Sequence, residues 1–336
     1  MPAPILIVGQ GLAGSLLAWE FMRAGIDFEI ADAGHARAAS RIGAGIINPI
    51  TGQRLVKSWR VDELLPAALA TYRELETALD VSLVKAMRVR RFFRDDRERR
   101  IFADKRERGE LAPYAGEGDE VGFWITGAAR VDTAALITAM RTRLRSAGRL
   151  REETIPLSRM GGRHDLVILC TGARTDDVGA FDFARLQAAK GETLTLSVAG
   201  SPPVEPDVIL NDGHWALPIG DGEVRVGATF EPGVADVNAT AAAREELERA
   251  AERLLRREFH VVAHEAGLRV TTPDKHPVVG RSSVCPGAGI FNGLGSKGAL
   301  LAPGLARQWM NHVTEGVPFD SAVDVARFAR RDRLIP

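Results

Sequence analysis

The chain opens on an apolar run that is followed by a segment of helical periodicity. Ile5–Val8 is short and wholly apolar, which is typical of a strand buried on both faces of a parallel sheet. Apolar residues then recur at helical spacing up to Gly25, a residue type that favours the end of a helix. A second apolar run, Phe28–Ala31, ends on the acid Asp32. The pattern therefore predicts a strand, a helix and a second strand in that order.

The hydrophobic pattern predicts regular elements along most of the remaining chain. Helical spacing indicates three further helices, at Val61–Leu79, 132–148 and 239–258. A period of two over residues 186–229 predicts an antiparallel meander, with Asp221-Gly222 as a hairpin turn. Shorter apolar segments predict further strands, at 123–125, 165–170, 260–266 and 289–292.

Two further segments are marked by charge or by glycine as well as by apolar spacing. Residues 88–110 contain ten Lys/Arg and six Asp/Glu in mixed order, which favours a solvated helix face and leaves a nucleic-acid patch as an alternative. A glycine-rich turn at 293–298 precedes another helical pattern, whose first amides, at Gly295 to Gly298, are expected to face an electron-rich ligand. Because Pro303 is tolerated only in the first turns, we expect the regular helix to begin near Ala302 or to kink there.

Composition narrows the class of protein. The chain has 336 residues, 45% of them hydrophobic and 26% charged, which indicates a globular protein of two domains. Lys+Arg and Asp+Glu both total 44, so no global charge favours nucleic acid or an anionic membrane. No apolar run approaches a membrane span, and Cys170 and Cys285 form no disulfide framework or metal cluster. We expect a cytoplasmic enzyme with reduced cysteines and without a metal site.

The first turn carries a candidate dinucleotide site. Gly9, Gly11 and Gly14 form GxGxxG between the predicted strand and helix, and Asp32 ends the next strand. The first glycine allows the tight turn, the second lets backbone amides approach a pyrophosphate, and the third lets helix and strand pack closely. The acid is placed to accept hydrogen bonds from a ribose. The combination predicts a bound dinucleotide.

A series of motifs in one order carries a resemblance to a known family. They are GQGLAG, SRIGAG, ARVDTAAL, VILCTGA, KGETL, WALP with VRVGATFE, GLRVTTPDKHPVVG and NGLGSKG. Together they resemble the D-amino-acid oxidase superfamily of FAD-dependent amine oxidases, which includes glycine oxidase, sarcosine oxidase and the flavin domain of the bacterial bifunctional tRNA wobble-uridine enzyme. The resemblance implies an α/β fold, with a Rossmann-like FAD-binding domain and a second α+β substrate domain built on an antiparallel sheet. The implied FAD-binding domain is discontinuous (1–50, 130–175 and 265–336), and the substrate domain comprises 51–129 and 176–264.

The resemblance also implies site residues. Arg269 would pair with the substrate carboxylate, Trp215 and Asn48 would also contact substrate, and Lys297 would join Arg269 as a catalytic residue. The implied FAD-binding residues are Gly9, Gly11, Leu12, Ala13, Gly14, Asp32, Ala33, Ser40, Arg41, Gly43, Ala44, Gly45, Thr171, Gly172, Gly293, Gly295, Ser296, Lys297 and Gly298. The residue types alone leave two alternatives open: a structural ion pair for Arg269 and a solvent-facing position for Lys297.

The chain departs from the family pattern at three places. Residues 149–165 replace a longer β-meander, so the adenine contact is not assigned. No cysteine stands near Arg269, where sarcosine oxidases tether their flavin, so we expect non-covalent FAD. Trp215 stands where a tyrosine is often found, which leaves the substrate open.

These residues predict FAD-dependent oxidation of a C–N bond in a small carboxylate-bearing amine or amino acid. Hydride would pass to the flavin N5, and the resulting imine would hydrolyse. Oxygen or another electron acceptor would then reoxidise the flavin, with no membrane partner and no nucleic acid expected. Two alternatives stay open: a flavoenzyme acting on a larger substrate such as a modified tRNA base, and a dinucleotide-binding module without catalysis.

Overall fold

A computed structural model describes residues 5–34, 38–155, 164–174, 179–200 and 204–331. The helices are α1 (Leu12–Arg23), α2 (Ala39–Ile42), α3 (Val61–Leu79), α4 (Asp96–Glu107), α5 (Thr133–Ser146), α6 (Ala241–Leu255), α7 (Gly298–Glu315) and α8 (Ala326–Arg331), with a 3-10 helix at Gly179–Ala184. The strands are β1 (Ile5–Val8), β2 (Phe28–Ala31), β3 (Ile46–Ile47), β4 (Ile50–Thr51), β5 (Val56–Lys57), β6 (Val84–Phe92), β7 (Ala115–Gly118), β8 (Gly122–Val131), β9 (Leu150–Arg151), β10 (Val167–Leu169), β11 (Gln187–Val198), β12 (Val208–Asn211), β13 (Trp215–Gly220), β14 (Glu223–Gly227), β15 (Glu231–Pro232), β16 (Phe259–Thr271), β17 (Val278–Arg281) and β18 (Ala288–Asn292).

A six-stranded sheet carries the predicted strand–helix–strand unit. Its strand order is β17-β18-β10-β1-β2-β9, and its neighbours are parallel except for β17 and β18. β1 therefore lies inside the sheet, as its wholly apolar sequence predicts, and helices α1, α5 and α7 pack together beside it. The carboxyl ends of β1, β2 and β10 meet at one edge, where ligands of open α/β sheets usually bind.

A second, ten-stranded sheet contains the predicted meander. Its order is β15-β11-β14-β13-β12-β6-β8-β3, with β16 beside β11 and β7 beside β8. The hairpin at Asp221-Gly222 is confirmed, because β13 and β14 pair across it. The predicted antiparallel sheet also contains one parallel pair, since β12 runs parallel to β6. These two strands are far apart in the chain, and parallel pairing requires such a long connection.

The prediction of one solvated helix over 88–110 is also wrong. Residues up to Phe92 belong to β6, and α4 covers only Asp96–Glu107. The strand arginines extend over a neighbouring aromatic ring, with the guanidinium carbons of Arg88 and Arg90 at 5.1 and 5.4 Å from the centroid of Trp124. Both side chains are also paired with acids, so this part of the segment does not resemble a free nucleic-acid patch.

Helix α7 begins earlier than Pro303 suggested. It starts at Gly298 and continues through the proline to Glu315. Proline has no N–H, so the carbonyl of Ala299, four residues earlier, loses its usual helical donor. The hydroxyl of Tyr72, on α3, donates to this carbonyl at 2.9 Å. A buried side chain from another helix thus replaces the missing bond, and the sequence alone does not reveal this.

The proposed division into two domains remains a prediction. Within 149–165, the segment predicted to replace a longer meander, residues 156–163 lie outside the described residues. Strand β3 joins the ten-stranded sheet although it lies within the predicted FAD-binding range, and β16 extends that sheet to Thr271. Among the helices of the described residues, none combines the length and apolarity needed to cross a membrane.

We predict that Gly289→Ala destabilises the six-stranded sheet. A Cβ at Gly289, on β18, would lie 2.5 Å from the ring of Trp309, which is fully buried. Forcing a methyl group into such a contact costs about 1–3 kcal/mol, so the urea midpoint should fall. Gly287→Ala is the control, because its Cβ would meet only an ordinary contact at 3.7 Å. Equal midpoints for the two variants would contradict the packing argument.

Candidate cofactor and substrate site

The glycine turn after β1 is shaped by backbone contacts. Gly9 has φ +100°, and a Cβ there would lie 2.5 Å from the carbonyl oxygen of Cys170. A Cβ at Gly14 would lie 1.9 Å from the carbonyl oxygen of Gly9, so the helix packs directly on the strand end. At Gly11 the nearest atom would be the Ser40 Oγ at 3.6 Å. The protein does not fill the space beside the middle glycine, so a ligand can approach the backbone there.

The first turn of α1 directs its backbone amides toward the space beside Gly11. The four N-terminal amides of a helix have no intrahelical acceptor, and they form the positive end of its dipole. One of them is used inside the protein, since the Leu12 amide donates to Ser40 Oγ at 3.2 Å. The remaining amides suit an anionic group such as a phosphate.

Asp32 sits at the end of β2 within a polar network. Its Oδ2 accepts from the Gln10 amide at 2.8 Å, and its Oδ1 accepts from Arg141 Nη1 at 3.0 Å and from the Gly34 amide at 2.9 Å. Arg141 also donates to the side-chain oxygen of the fully buried Gln10 at 3.2 Å. The network fixes the carboxylate beside the glycine turn. Sequence reasoning missed Arg141 and Gln10, because neither stands out within its motif.

The small-residue segment 40–45 is held against the ten-stranded sheet. Arg225 Nη2, on β14, donates to the carbonyl of Ile42 at 2.8 Å. Burial lowers the pKa of Arg225, and Glu265 partly offsets this effect. Gly45 has φ +67°, and a Cβ there would lie 1.8 Å from the carbonyl oxygen of Val131. The backbone of this segment therefore has little freedom to move away from the cavity.

The turn before α7 has fewer free backbone amides than the sequence predicts. The amides of Gly295 and Lys297 are already bonded to the carbonyls of Val270 and Leu294, at 2.8 and 3.1 Å, so they are not free donors. Gly298 is the first helical residue, and its amide has no intrahelical partner. The Lys297 side chain is partly buried, which lowers its pKa, and no acid of the described residues lies within 4 Å of its Nζ.

These elements enclose one large cavity of about 1230 Å³. Its volume exceeds the usual range of small-molecule pockets, about 300–1,000 Å³, so it has room for more than a small substrate. Its wall includes most of the residues implied by the family resemblance, namely Gly9, Gly11, Leu12, Ala13, Asp32, Ala33, Ser40, Gly43, Ala44, Gly45, Asn48, Thr171, Gly172, Trp215, Arg269, Gly295, Ser296, Lys297 and Gly298.

Three implied cofactor residues lie behind the wall instead of in it. Gly14 packs α1 on β1, as described above. Arg41 turns toward α5 and donates to Thr138 Oγ1 at 3.0 Å. Gly293 has φ +74° and faces Thr272 and Pro277. Each of these residues shapes the backbone around the cavity, and their direct contact with a ligand stays a prediction.

Arg269 is a cation at the end of the cavity opposite the glycine turn. Its guanidinium lies directly over Gly191, where a Cβ would be 2.2 Å from Nη2. Its Nη1 donates to the carbonyl of Thr229 at 3.1 Å, and no acid of the described residues lies within 4 Å of the guanidinium. Burial alone lowers the pKa of Arg269. The ion-pair alternative for Arg269 therefore has no partner here.

Trp215 and Asn48, the two further implied substrate residues, also line the cavity. The Trp215 ring lies across Gly227 on the neighbouring strand, where a Cβ would be 2.5 Å from the ring. The side-chain oxygen of Asn48 accepts from the Ile50 amide at 3.2 Å, which forms a local turn. Because glycine has no side chain, the guanidinium of Arg269 and the indole of Trp215 can lie directly on the backbone at Gly191 and Gly227.

Comparison with known proteins shows the family of the chain. A family model described as FAD-dependent oxidoreductase matches residues 4–310. The chain belongs to this family. FAD is accordingly the cofactor of this oxidoreductase.

Individual relatives agree with the family assignment. Glycine oxidase of Pseudomonas aeruginosa is 26% identical over 371 residues, which cover 99% of this chain and 100% of that protein. The tRNA 5-methylaminomethyl-2-thiouridine biosynthesis bifunctional protein MnmC of Maricaulis maris is 28% identical, over 98% of this chain and 56% of that protein. The solved iminodiacetate oxidase from Chelativorans sp. BNC1 has the same fold, with a TM-score of 0.78, 24% identity and coverage of 95% and 98% of the two chains.

The residues present fit FAD. The open face of Gly11 and the first turn of α1 suit a diphosphate, and the fixed carboxylate of Asp32 suits ribose hydroxyls. The small-residue segment and the α7 turn would flank the ring system at the other end of the cavity. Thr154, within the segment 149–165 for which the sequence predicts a shortened meander, also lines the cavity.

We predict that Asp32→Asn weakens FAD binding. The change removes a charged acceptor beside the glycine turn and replaces one of the two acids paired with Arg141, Asp32 and Glu152, by a neutral amide. The dissociation constant should rise about tenfold or more. Titration of apoprotein with FAD, followed by quenching of flavin fluorescence, gives that constant. Asp27→Asn removes an exposed carboxylate from the same strand–helix unit and should leave the constant unchanged. An Asp32→Asn constant equal to wild type would refute this role.

Proposed function

We propose that this oxidoreductase oxidises a C–N bond in a small amine or amino acid that bears a carboxylate. The observation that carries the proposal is Arg269, a partly buried guanidinium without an acidic partner at the end of the cofactor cavity. A desolvated cation of this kind favours an anionic ligand, and its fork matches a carboxylate bidentately. The name of the Pseudomonas relative, glycine oxidase, supports the same substrate class.

The chain positions the substrate through its backbone-held side chains. Thr229 orients Arg269 through its carbonyl, and its own Oγ1 accepts from the buried amide of Glu192 at 2.9 Å. The guanidinium is therefore held at a fixed height above Gly191. Trp215 adds an apolar surface that excludes water beside the bound amine. Positioning of this kind contributes much of the rate when no proton-transferring triad is needed.

FAD, when bound, supplies the acceptor for a hydride from the carbon next to the substrate nitrogen. Lys297 is the other cation of this region, and burial makes its charge more effective because less water screens it. We propose that it stabilises negative charge near the ring system. The substrate loses this hydride and a proton from its nitrogen, two electrons in all, and becomes an imine. Water hydrolyses the imine to a carbonyl compound and an amine, or ammonia when the substrate is a primary amine.

We predict that Arg269→Met raises KM for glycine and N-alkylglycines about tenfold or more. The loss of a charged hydrogen bond, about 1.5–3 kcal/mol, accounts for that size. The reductive half-reaction, measured as anaerobic bleaching of the flavin, separates binding from the chemical step. The penalty should disappear with glycinamide, which has no carboxylate.

Gly191→Ala tests the same geometry without removing the cation. Its methyl group would displace the guanidinium, so we expect the loss of acid binding to resemble that of Arg269→Met. Arg244→Met, which removes an exposed helix arginine paired with Glu248, is the matched control. If no amine or amino acid bleaches the flavin, the proposed function is wrong, and if Arg269→Met leaves KM unchanged, Arg269 lies outside the site.

We also predict that Lys297→Met weakens the binding of sulfite by the oxidised flavoprotein. Sulfite adds to electron-poor flavins, and a nearby cation favours the added negative charge. Because burial lowers the pKa of Lys297, its charge and its contribution should be lost as pH rises, in a range below the usual lysine value of 10.5. Spectroscopic titration of wild type and variant across pH should show the gap between them closing at high pH. A constant gap would contradict the assignment.

A further inference from the structure

One row of side chains crosses the ten-stranded sheet on its cavity face. Register pairs Arg91 with Asn211, Asn211 with Trp215, Trp215 with Gly227, and Gly227 with Thr193. All five positions except Gly227 line the cavity directly, and Gly227 lies under the Trp215 ring. The wall thus continues past Trp215, away from Arg269, to a second arginine.

Arg91 is a buried cation with spare hydrogen-bonding capacity. Its side chain is only 8% exposed. Its Nη1 donates to the side-chain oxygen of Asn211 and its Nη2 to Glu98, whereas its buried Nε has no partner among the described residues. A buried donor without an acceptor is costly, so such an atom calls for an explanation.

The charges around Arg91 do not balance. Glu98 is 1% exposed, and it also accepts from the amide and the Nε of Arg94, at 2.9 and 3.4 Å. Two guanidinium groups therefore share one carboxylate, and no other acid of the described residues lies within 4 Å of either. Both arginines line the cavity, and Asp32 is the one acid among the described residues of its wall. A purely structural ion pair would not require this excess charge.

We propose that Arg91, Arg94 and Asn211 form a second anion subsite that binds a carboxylate on the far end of the substrate. The substrate would then be an N-carboxyalkyl amino acid or a related amine with an acid at each end. This inference rests on the proposed function, because it takes the carboxylate at Arg269 as the first anchor.

The spacing of the two cations sets the length of the substrate. The Arg91 guanidinium lies by β12 and that of Arg269 lies over β11, three strands away and one two-residue step along the strand. With strands about 4.8 Å apart and about 6.8 Å per two residues, the cations are about 16 Å apart. Allowing about 3 Å for each contact leaves about 10 Å between the two carboxylates. N-(ω-carboxypentyl)glycine has this length when extended.

The test compares this diacid with its amide, N-(ω-carbamoylpentyl)glycine, which has the same length without the second charge. With wild-type holoenzyme we expect kcat/KM to be about tenfold or more higher for the diacid, with the difference mostly in KM. Asn211→Asp keeps the acceptor for Arg91 and adds one negative charge, so it should lower kcat/KM for the diacid about tenfold and leave the amide within about twofold. Arg94→Gln should act in the same direction, because it removes the more exposed cation.

Asn311→Asp, on α7 outside the cavity wall, adds the same charge and should change neither substrate. Equal kcat/KM for diacid and amide in wild type, or equal losses for both in Asn211→Asp, would overturn the subsite. If glycine and both probes fail to bleach the flavin, the proposed function fails instead. The subsite is then judged by the affinity of the two probes for the oxidised holoprotein, followed as a shift in flavin absorbance, where equal affinities would overturn it.

Discussion

The site depends on a place where three chain segments meet through backbone atoms alone. The end of β1, the first turn of α1 and the end of β10 approach so closely that a Cβ at Gly9 or Gly14 would overlap a carbonyl oxygen. Because no side chain separates them, the amides of α1 and the carboxylate of Asp32 face one cavity from adjacent strand ends. The backbone contacts that pack α1 on the six-stranded sheet therefore also shape the ligand site.

Charge is divided along the cavity. Its glycine-turn end holds Asp32 in hydrogen bonds from Gln10, Gly34 and Arg141, whereas its opposite end holds Arg269 and Lys297 without acids. The first arrangement suits neutral hydroxyl groups beside a diphosphate, and the second suits anions. The ten-stranded sheet contributes to this division by placing glycines under the cationic and aromatic side chains, so that large groups rest directly on the backbone.

Local signals in the sequence predicted much of the fold, and long-range contacts account for what they missed. Periodicity placed α3 at Val61–Leu79, where it is found, because its apolar face alone specifies it. The first part of the charged run, from Arg88 to Phe92, is strand and not the predicted helix, since this strand is defined by pairing with β8 and β12. Arg141 and Arg91 could not be assigned either, because Asp32 and Asn211, the partners that they contact at the cavity wall, are distant from them in sequence. The glycine turn and Arg269 could be placed, since they lie in compact motifs.

The bond from Arg269 to a backbone carbonyl has a practical consequence. A carbonyl occupies one edge of the guanidinium without neutralising it, so the protein at rest holds a partly dehydrated positive charge with room for an oxyanion. Acetate and formate carry the same group as the substrate carboxylate that we propose to bind at Arg269. Ordinary buffer salts should therefore compete with the substrate, and the apparent affinity of the enzyme becomes a property of its medium as well as of its fold.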